Sequence, residues 1–160
     1  MTIFGQISKS YKWGKIGFLS IAASVYFYLG LSSAIAKKEG SASLHVTILG
    51  LRSDKGDVHI ALYDNPATFP DPDGMILDIE VPIDLNKARY SFKNLTQKDY
   101  AIAIYHDENN NDSFDQSFFG IPLEDYAFSN NASVFLGPPS FSDAAFQLSG
   151  TRQISIRIAD

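Results

Sequence analysis

A run of acidic and amide side chains between residues 105 and 115 is the clearest candidate for chemistry in this chain. Its side-chain oxygens stand at alternate positions and then once more four residues on: Asp107, Asn109, Asn111 and Asp115. This spacing can wrap a loop around a hard cation such as Ca²⁺, which prefers oxygen ligands. The sequence therefore predicts a candidate calcium loop, residues 107–115, and suggests calcium as its cofactor. We call this segment the acidic loop.

Compared with the calcium loop of an EF-hand, the acidic loop is incomplete. Counting Asp107 as position 1 puts Phe118 at position 12, where a bidentate acid is needed, and Asp112 at position 6, where glycine is usual. A full EF-hand is therefore excluded, and a weaker site would need Glu124 or Asp125 to complete it. The other interpretation is an Asn/Asp-rich turn whose side chains cap their own backbone. Both interpretations stay open from the sequence.

His106, at the end of a predicted strand beside the acidic loop, raises the alternative of a secreted hydrolase. Such an enzyme would pair the imidazole with one of three carboxylates: Asp107, Asp115 or Glu124. No nucleophile motif, phosphate-binding loop or cysteine accompanies these residues. A lone histidine at a strand end more often hydrogen-bonds a loop carbonyl. His45 and His59 occupy the polar faces of two other strands, without metal-type spacing to His106. No residue is assigned as catalytic, and a non-enzymatic role is favoured.

Short strands dominate the chain after residue 42, because apolar and polar residues alternate there with a period of two. The predicted strands cover residues 44–48, 58–62, 75–83, 88–93, 100–106, 145–148 and 153–158. Turn residues at 52–56 predict a hairpin between the first two strands. Pro82 predicts that the third strand ends or lies at a sheet edge. The pattern predicts an all-β fold: a single antiparallel two-sheet β-sandwich of the prealbumin or immunoglobulin type.

The stretch from Leu95 to Tyr100 supports this fold. A tyrosine that enters a late strand a few residues after a buried leucine is the layout of a tyrosine corner. In that arrangement the phenol hydroxyl bonds a backbone group upstream. We therefore predict that Tyr100 is buried and bonded in this way.

The segment from Ser117 to Phe141 departs from the alternation. It is rich in Gly, Pro, Asn and aromatic residues, and long irregular segments inside compact domains are usually functional or disordered. Its aromatic content predicts an ordered lid over one end of the sandwich, with aromatics that either stack on a sugar or peptide or form a satellite core. The candidate binding residues come from this lid and the strand end beside it: His106, Glu124, Tyr126, Phe128, Asn130 and Asn131.

Four short motifs in this region resemble a bacterial protein family. They are, in order, His106 to Asn109, Gly120 to Tyr126, Phe128 to Ala132 and Gly137 to Phe146. Over about residues 42–158 the chain resembles the exported bacterial proteins grouped as domain of unknown function 2141. The resemblance implies an exported β-sandwich with no established activity. The first part is also similar, at the level of fold alone, to prealbumin-like and carboxypeptidase-regulatory-like modules of surface proteins.

Residues 1–36 have the pattern of a signal peptide. Three lysines precede an apolar run from Ile16 to Leu31, and Ala34 and Ala36 are the small residues of a cleavage site. The run is shorter than the roughly 20 residues of a spanning helix, and an uncleaved N-terminal membrane anchor is the alternative. We therefore predict a signal peptide at 1–36, a linker at 37–42 and a β-sandwich domain at 43–160, exported to the periplasm or the cell exterior.

The net charge of the chain limits the classes of partner that it is expected to bind. The three signal lysines are the only charges before residue 37, so the rest of the chain holds 10 basic and 18 acidic residues and a net charge near −8. A surface this acidic argues against nucleic acid, or a membrane after signal removal, as the partner. With no cysteine, stability rests on the core or on a metal. The favoured function is an exported binding or interaction module with an extracytoplasmic ligand or protein partner that the sequence does not identify.

Overall fold

The structure is a computed structural model, and it describes residues 41–158. The predicted signal segment and the alternative anchor lie outside the described residues. Within residues 41–158, no helix is long and apolar enough to cross a membrane. The strands of this region are, in chain order, β1 (Ala42–Leu49), β2 (Asp57–Tyr63), β3 (Leu77–Pro82), β4 (Lys87–Leu95), β5 (Asp99–Asp107), β6 (Tyr126–Phe128), β7 (Phe146–Gln147) and β8 (Thr151–Arg157). A short helix, α1 (Phe141–Ala144), lies between β6 and β7.

These strands form two sheets, as the alternation predicts. One sheet has three strands in the order β4-β1-β8, and the other has five, in which β3-β2-β5-β6 are neighbours and β7 pairs with β5. The all-β two-sheet prediction is confirmed. The sheets are antiparallel with one exception, because β1 and β8 run parallel, with Val46 opposite Ile154. The edge position of β3 and its end at Pro82 agree with the restriction that proline places on a strand.

The predicted hairpin between the first two strands is wrong. β1 pairs with β4 and β8, whereas β2 pairs with β3 and β5, so the two strands lie in different sheets. Gly50 and Gly56 adopt positive φ angles of 82° and 66°, and Leu51 between them is buried in the core. Because the link buries an apolar side chain between the sheets, it crosses from one sheet to the other instead of reversing beside β1.

The main core lies between the two sheets and follows the predicted alternation. β1 contributes Leu44, Val46 and Ile48 to this core. The even-numbered positions of β2 and β5 contribute further buried aliphatic side chains. Fully burying each such side chain is worth about 1.5–3 kcal/mol. Tyr100 is buried at the margin of this core, and its hydroxyl donates a hydrogen bond to the Thr96 carbonyl at 3.0 Å. The predicted tyrosine corner is confirmed.

Candidate functional site

The outer face of the five-stranded sheet, opposite the core, presents its side chains in rows, and beside the first of them lies a further row of Tyr63 and Ala101. The rows follow from strand register, because residues that face each other across a sheet project to the same side. Across β3, β2, β5 and β6, the first row is Asp78, Ala61, Ala103 and Phe128, and the second is Glu80, His59, Tyr105 and Tyr126. The third row is Pro82, Asp57 and Asp107. Carboxylates and aromatic rings are thus concentrated on one sheet face.

The first row is the floor of a groove of about 780 Å³. The methyl groups of Ala61 and Ala103 leave space above the sheet, between Asp78 at one end and Phe128 at the other. The walls come from the acidic loop, from the connection between β2 and β3 and from the lid. Among the wall residues are Pro70, Pro72, Met75, Asp112, Phe114, Ile121, Pro122, Val134 and Pro138. We call this cavity the groove.

Packed aromatic rings surround the groove. Phe114 of the acidic loop contacts Tyr105 and Tyr126, with ring centroids 5.4 and 5.6 Å apart. Phe69 contacts Tyr63 at 5.1 Å and Phe128 at 5.8 Å. These ring contacts stabilise the packing of the walls.

Two of the three tyrosines that line the groove, Tyr63 and Tyr105, are held in their neutral form. The Tyr63 hydroxyl donates a hydrogen bond to the Pro70 carbonyl at 3.0 Å. Burial, with the charges of Asp78 and Asp71, raises the pKa of Tyr63 to about 12. Burial also raises the pKa of Tyr105. The walls therefore offer neutral phenol rings at physiological pH.

The lid differs in part from its prediction. It lies beside the outer face of the five-stranded sheet, since its residues line the groove together with residues of β2 and β5. Phe128 and Phe141 pack in a satellite cluster, as one of the two interpretations predicted. Phe118 and Phe135, by contrast, are 97% and 84% exposed. Only part of the aromatic content of the lid is therefore packed.

Asp107 anchors the acidic loop from a fully buried position. Its carboxylate accepts hydrogen bonds from the backbone N–H groups of Asn109, Asn111 and Asp112, at 3.2, 3.3 and 2.8 Å. Burial opposes ionisation, but the backbone hydrogen bonds outweigh it and lower the pKa of Asp107. Asp112 adopts a φ of 59°, the conformation for which glycine is usual at that place. The loop is thus wrapped around an ionised carboxylate.

The other predicted calcium ligands are engaged with each other. The side-chain amides of Asn109 and Asn111 donate to Asp115, at 2.8 and 3.1 Å. Glu124 reaches the same place and accepts from the Asp115 backbone N–H at 3.0 Å, while burial raises the pKa of Glu124. Asp125 instead pairs with Arg52. The structure therefore brings Asn109, Asn111, Asp115 and Glu124 together in the contacts of a capped turn, and calcium binding here stays a prediction.

His106 and Asp107 point to opposite faces of β5. His106 projects to the same side of β5 as the core residues Ile102 and Ile104 and is fully buried. Its Nε2 lies 2.8 Å from the Lys55 carbonyl oxygen. Asp107 shares the parity of Tyr105 and faces outward. The structure therefore does not bring this imidazole and this carboxylate together. The hydrogen bond to Lys55 is the loop-carbonyl contact that was the alternative to catalysis.

The two lid asparagines hold backbone in place. Asn130, at a φ of 59°, donates to the carbonyl oxygens of Asp143 and Ala145, at 3.2 and 2.7 Å. Asn131 accepts from the Arg157 backbone N–H at 2.8 Å and so ties the lid to β8. Of the six predicted binding residues, Tyr126 and Phe128 are the two that line the groove.

The sequence reasoning missed His59 as a candidate site residue. The structure buries it to 3% exposure, with its ring stacked on Tyr105 at a centroid distance of 4.5 Å. The sequence pattern that could have indicated this residue is the Asp57-x-His59 spacing, because residues two apart on a strand project to the same face. The missing information was that the loops cover this face.

The described residues define an all-β two-sheet sandwich with a groove and an acidic loop at one outer face. The family of uncharacterized proteins conserved in bacteria (DUF2141) matches residues 46–156, and the chain belongs to this family. The resemblance of its motifs is thereby confirmed. No match to the chain was found among curated proteins or among solved structures. Its function has to be argued from the site itself.

Proposed function

We propose that this protein is an exported binding module whose groove takes an organic cation on an apolar or aromatic body. The observation that carries the proposal is the first row of the outer face. A carboxylate, Asp78, and an aromatic ring, Phe128, stand at its two ends, with Ala61 and Ala103 as a small-residue floor between them. A ligand lying on the two alanines would meet a negative charge at one end and an aromatic ring at the other.

The charge of the walls supports a cationic ligand. Asp78 and Asp112 both line the groove, and the lining residues among the described part of the chain include no lysine or arginine. The half-buried rings of Tyr105, Phe114 and Tyr126 line the groove, and an aromatic ring attracts an ammonium or guanidinium group by about 0.5–2 kcal/mol depending on desolvation. A net charge near −8 after residue 36 raises the local concentration of cations around the whole domain.

The contacts of the hydrolase candidates favour binding over catalysis. His106 is buried on the core side of β5 and bonds Lys55, while Asp107 is held by backbone N–H groups on the other side. An acid–base pair needs two groups that converge on a solvent-open cleft. A binding module needs a shaped, accessible surface, which the groove supplies.

Export is the second part of the proposal, and the N-terminal segment supports it. The lysines, the apolar run and the small residues at Ala34 and Ala36 are the three parts of a cleavable signal. Cell fractionation with N-terminal sequencing tests it. A protein that begins at Lys37 outside the cytoplasm is expected, and a retained apolar segment would favour the anchor.

Matched ligands test the groove. A short arginine peptide and benzyltrimethylammonium should each raise the melting temperature of the full chain, because both carry a positive charge beside apolar surface. The same peptide with citrulline in place of arginine keeps the shape and loses the charge, so it should give little shift. A response to the peptide alone would identify a peptide ligand, and a response to both cations would identify a general organic-cation site.

Variants of the groove complete the test. Asp78→Asn should weaken cation binding by about 10- to 100-fold, since a charge-assisted contact contributes about 1.5–3 kcal/mol. Ala103→Leu should abolish binding, because its side chain would fill the floor of the groove. Asp84→Asn removes an exposed carboxylate elsewhere and is the control. Equal binding of the arginine and citrulline peptides would contradict the proposal.

A further inference from the structure

We propose that Asp57, His59 and Asp107 form a binding site for a divalent transition-metal ion such as Zn²⁺ or Mn²⁺. The three side chains each offer a ligand atom, and these atoms all lie within 4.8 Å of one another. His59 Nε2 is 3.5 Å from Asp57 Oδ1 and 3.9 Å from Asp107 Oδ2. This site lies on the third row and the adjacent part of the second row, and it does not depend on the proposed function of the groove.

The burial of His59 is the observation that points to a ligand. The residue is 3% exposed, and neither ring nitrogen has a hydrogen-bond partner within residues 41–158. Asp57 Oδ1, which faces Nε2, is also buried without a partner among these residues. Leaving a buried polar atom unpaired costs about 1–3 kcal/mol. A bound cation would satisfy Nε2 and Asp57 Oδ1 together.

The separations of the ligand atoms suit an ion better than they suit hydrogen bonds. Hydrogen bonds join nitrogen and oxygen at about 2.7–3.2 Å, and both separations from Nε2 are longer. A tetrahedral ion with bonds of 2.0–2.2 Å places its ligand atoms about 3.4 Å apart. The 3.5 Å separation of His59 Nε2 and Asp57 Oδ1 is close to that value, and the 3.9 Å separation of Nε2 and Asp107 Oδ2 would have to shorten by about 0.5 Å.

Asp107 is prepared for such a role by its backbone contacts. Its Oδ1 accepts from two N–H groups and its Oδ2 from one, that of Asp112. A carboxylate oxygen has two lone pairs, so the oxygen nearer to His59 keeps one for a metal. The N–H groups also fix the orientation of the carboxylate.

The surroundings of the imidazole fit a metal-bound histidine. Asp78 Oδ1 lies 3.7 Å from Nδ1 of His59, on the side of the ring away from Asp57. A metal-bound histidine commonly donates its second ring N–H to a carboxylate, which fixes the ring, and Asp78 would have to move about 0.5–1 Å closer to accept that hydrogen bond. Tyr105 stacks on the ring with an interplanar angle of 11° and restricts its rotation. One imidazole and two carboxylates form a mixed N/O set, which suits Zn²⁺ or Mn²⁺ better than Ca²⁺.

Calorimetric titration of the full chain, without a histidine tag and stripped with chelator, tests the proposal. Zn²⁺ or Mn²⁺ should bind with 1:1 stoichiometry. His59→Gln and Asp57→Asn should each weaken binding about 100-fold or more, since loss even of an outer partner costs 10–100-fold. Circular dichroism shows whether each variant is folded. If His59→Gln does not fold, Asp57→Asn decides, because that side chain is partly exposed.

Two controls separate this site from its neighbours. His45→Gln removes a histidine on β1 that bonds Ser91, and binding should be unchanged. Asp115→Asn alters the acidic loop and leaves all three proposed ligands in place, so binding should again be unchanged. Absence of 1:1 binding by both ions would overturn the proposal, as would unchanged affinity in the folded Asp57→Asn variant.

Discussion

Asp57 and Asp107 face each other across β2 and β5, with carboxylate oxygens within 4.8 Å. The two groups are held differently. Backbone hydrogen bonds outweigh the burial of Asp107 and lower its pKa, whereas burial, only partly offset by His59, raises the pKa of Asp57. Like charges directly opposite each other in a sheet are destabilising. The fold therefore stabilises the ionised form of Asp107 and destabilises the ionised form of Asp57.

The same substitution should consequently have opposite effects at the two positions. In chelator at pH 7, Asp57→Asn should raise the free energy of unfolding by about 0.2–1 kcal/mol, because it removes the repulsion. Asp107→Asn should lower it by about 2 kcal/mol, because hydrogen bonds to an ionised group are lost. Urea denaturation of both variants and the unmodified protein measures the difference. Two changes of the same sign would contradict the assignment.

Gly56 should tolerate substitution far less well than Gly150. Both have positive φ, so alanine costs about 1–2 kcal/mol at either position. A Cβ at Gly56 would lie 1.7 Å from the Asp107 carbonyl oxygen, whereas a Cβ at Gly150 meets nothing within 4 Å. We expect Gly56→Ala to cost at least about 2 kcal/mol more, since the acidic loop must move. Denaturation midpoints compare the two, and equal costs would show that Gly56 does not hold the loop.

Alkaline pH should destabilise the fold in part through Tyr63. Its pKa is about 12 in the folded protein and about 10 in an unfolded chain, so the unfolded chain releases the proton first. The contribution of this tyrosine to the free energy of unfolding is complete below pH 10. It decreases between pH 10 and 12, by up to roughly 2–3 kcal/mol.

Tyr63→Phe tests this dependence. The variant loses the hydrogen bond to Pro70, about 1 kcal/mol at every pH, but its stability should fall less steeply above pH 10. Tyr90→Phe, in the other sheet, is the control. Denaturant melts at pH 8 and pH 11.5 measure the slope, and identical slopes for the Tyr63 variant and the unmodified protein would rule out this role.

Calcium binding by the acidic loop should be weak. The amides of Asn109 and Asn111 now donate to Asp115, so they would have to turn their oxygens inward. We expect a dissociation constant no better than ~10⁻⁴–10⁻³ M, the range of extracellular calcium modules. At tenfold excess over that value, calcium would stabilise the fold by about 1.4 kcal/mol, a melting shift of a few degrees.

Thermal melting with calcium against chelator measures this shift. Asp115→Asn is the informative variant, because it leaves the proposed transition-metal ligands intact and should abolish the response. No shift at saturating calcium in the unmodified protein would mean that the loop is a capped turn.

Local patterns in the sequence were sufficient for most of the strands and for some contacts, whereas β6 lies within the segment that was predicted to be irregular. Alternation predicts the strands because a strand half-buried in a sheet needs one apolar face. Pro82 ends a strand because it has no N–H to donate, and Tyr100 bonds Thr96 through a spacing of four residues. The acidic loop could be predicted because its hydrogen bonds join residues that are near in sequence. Each of these features depends on neighbours along the chain.

Strand partners and the composition of the outer face were decided only by the tertiary structure. The turn residues 52–56 are equally compatible with a hairpin and a crossover, and the burial of Leu51 between the sheets selects the crossover. Asp57 and His59 have the alternation of a solvated strand face, yet the acidic loop and the lid lie over that face. Which groups are covered depends on contacts between segments far apart in sequence, and no local pattern carries that information. For this reason the sequence alone indicates the calcium-type loop. The groove and the cluster of Asp57, His59 and Asp107 can be recognised only from the register of β2, β3 and β5.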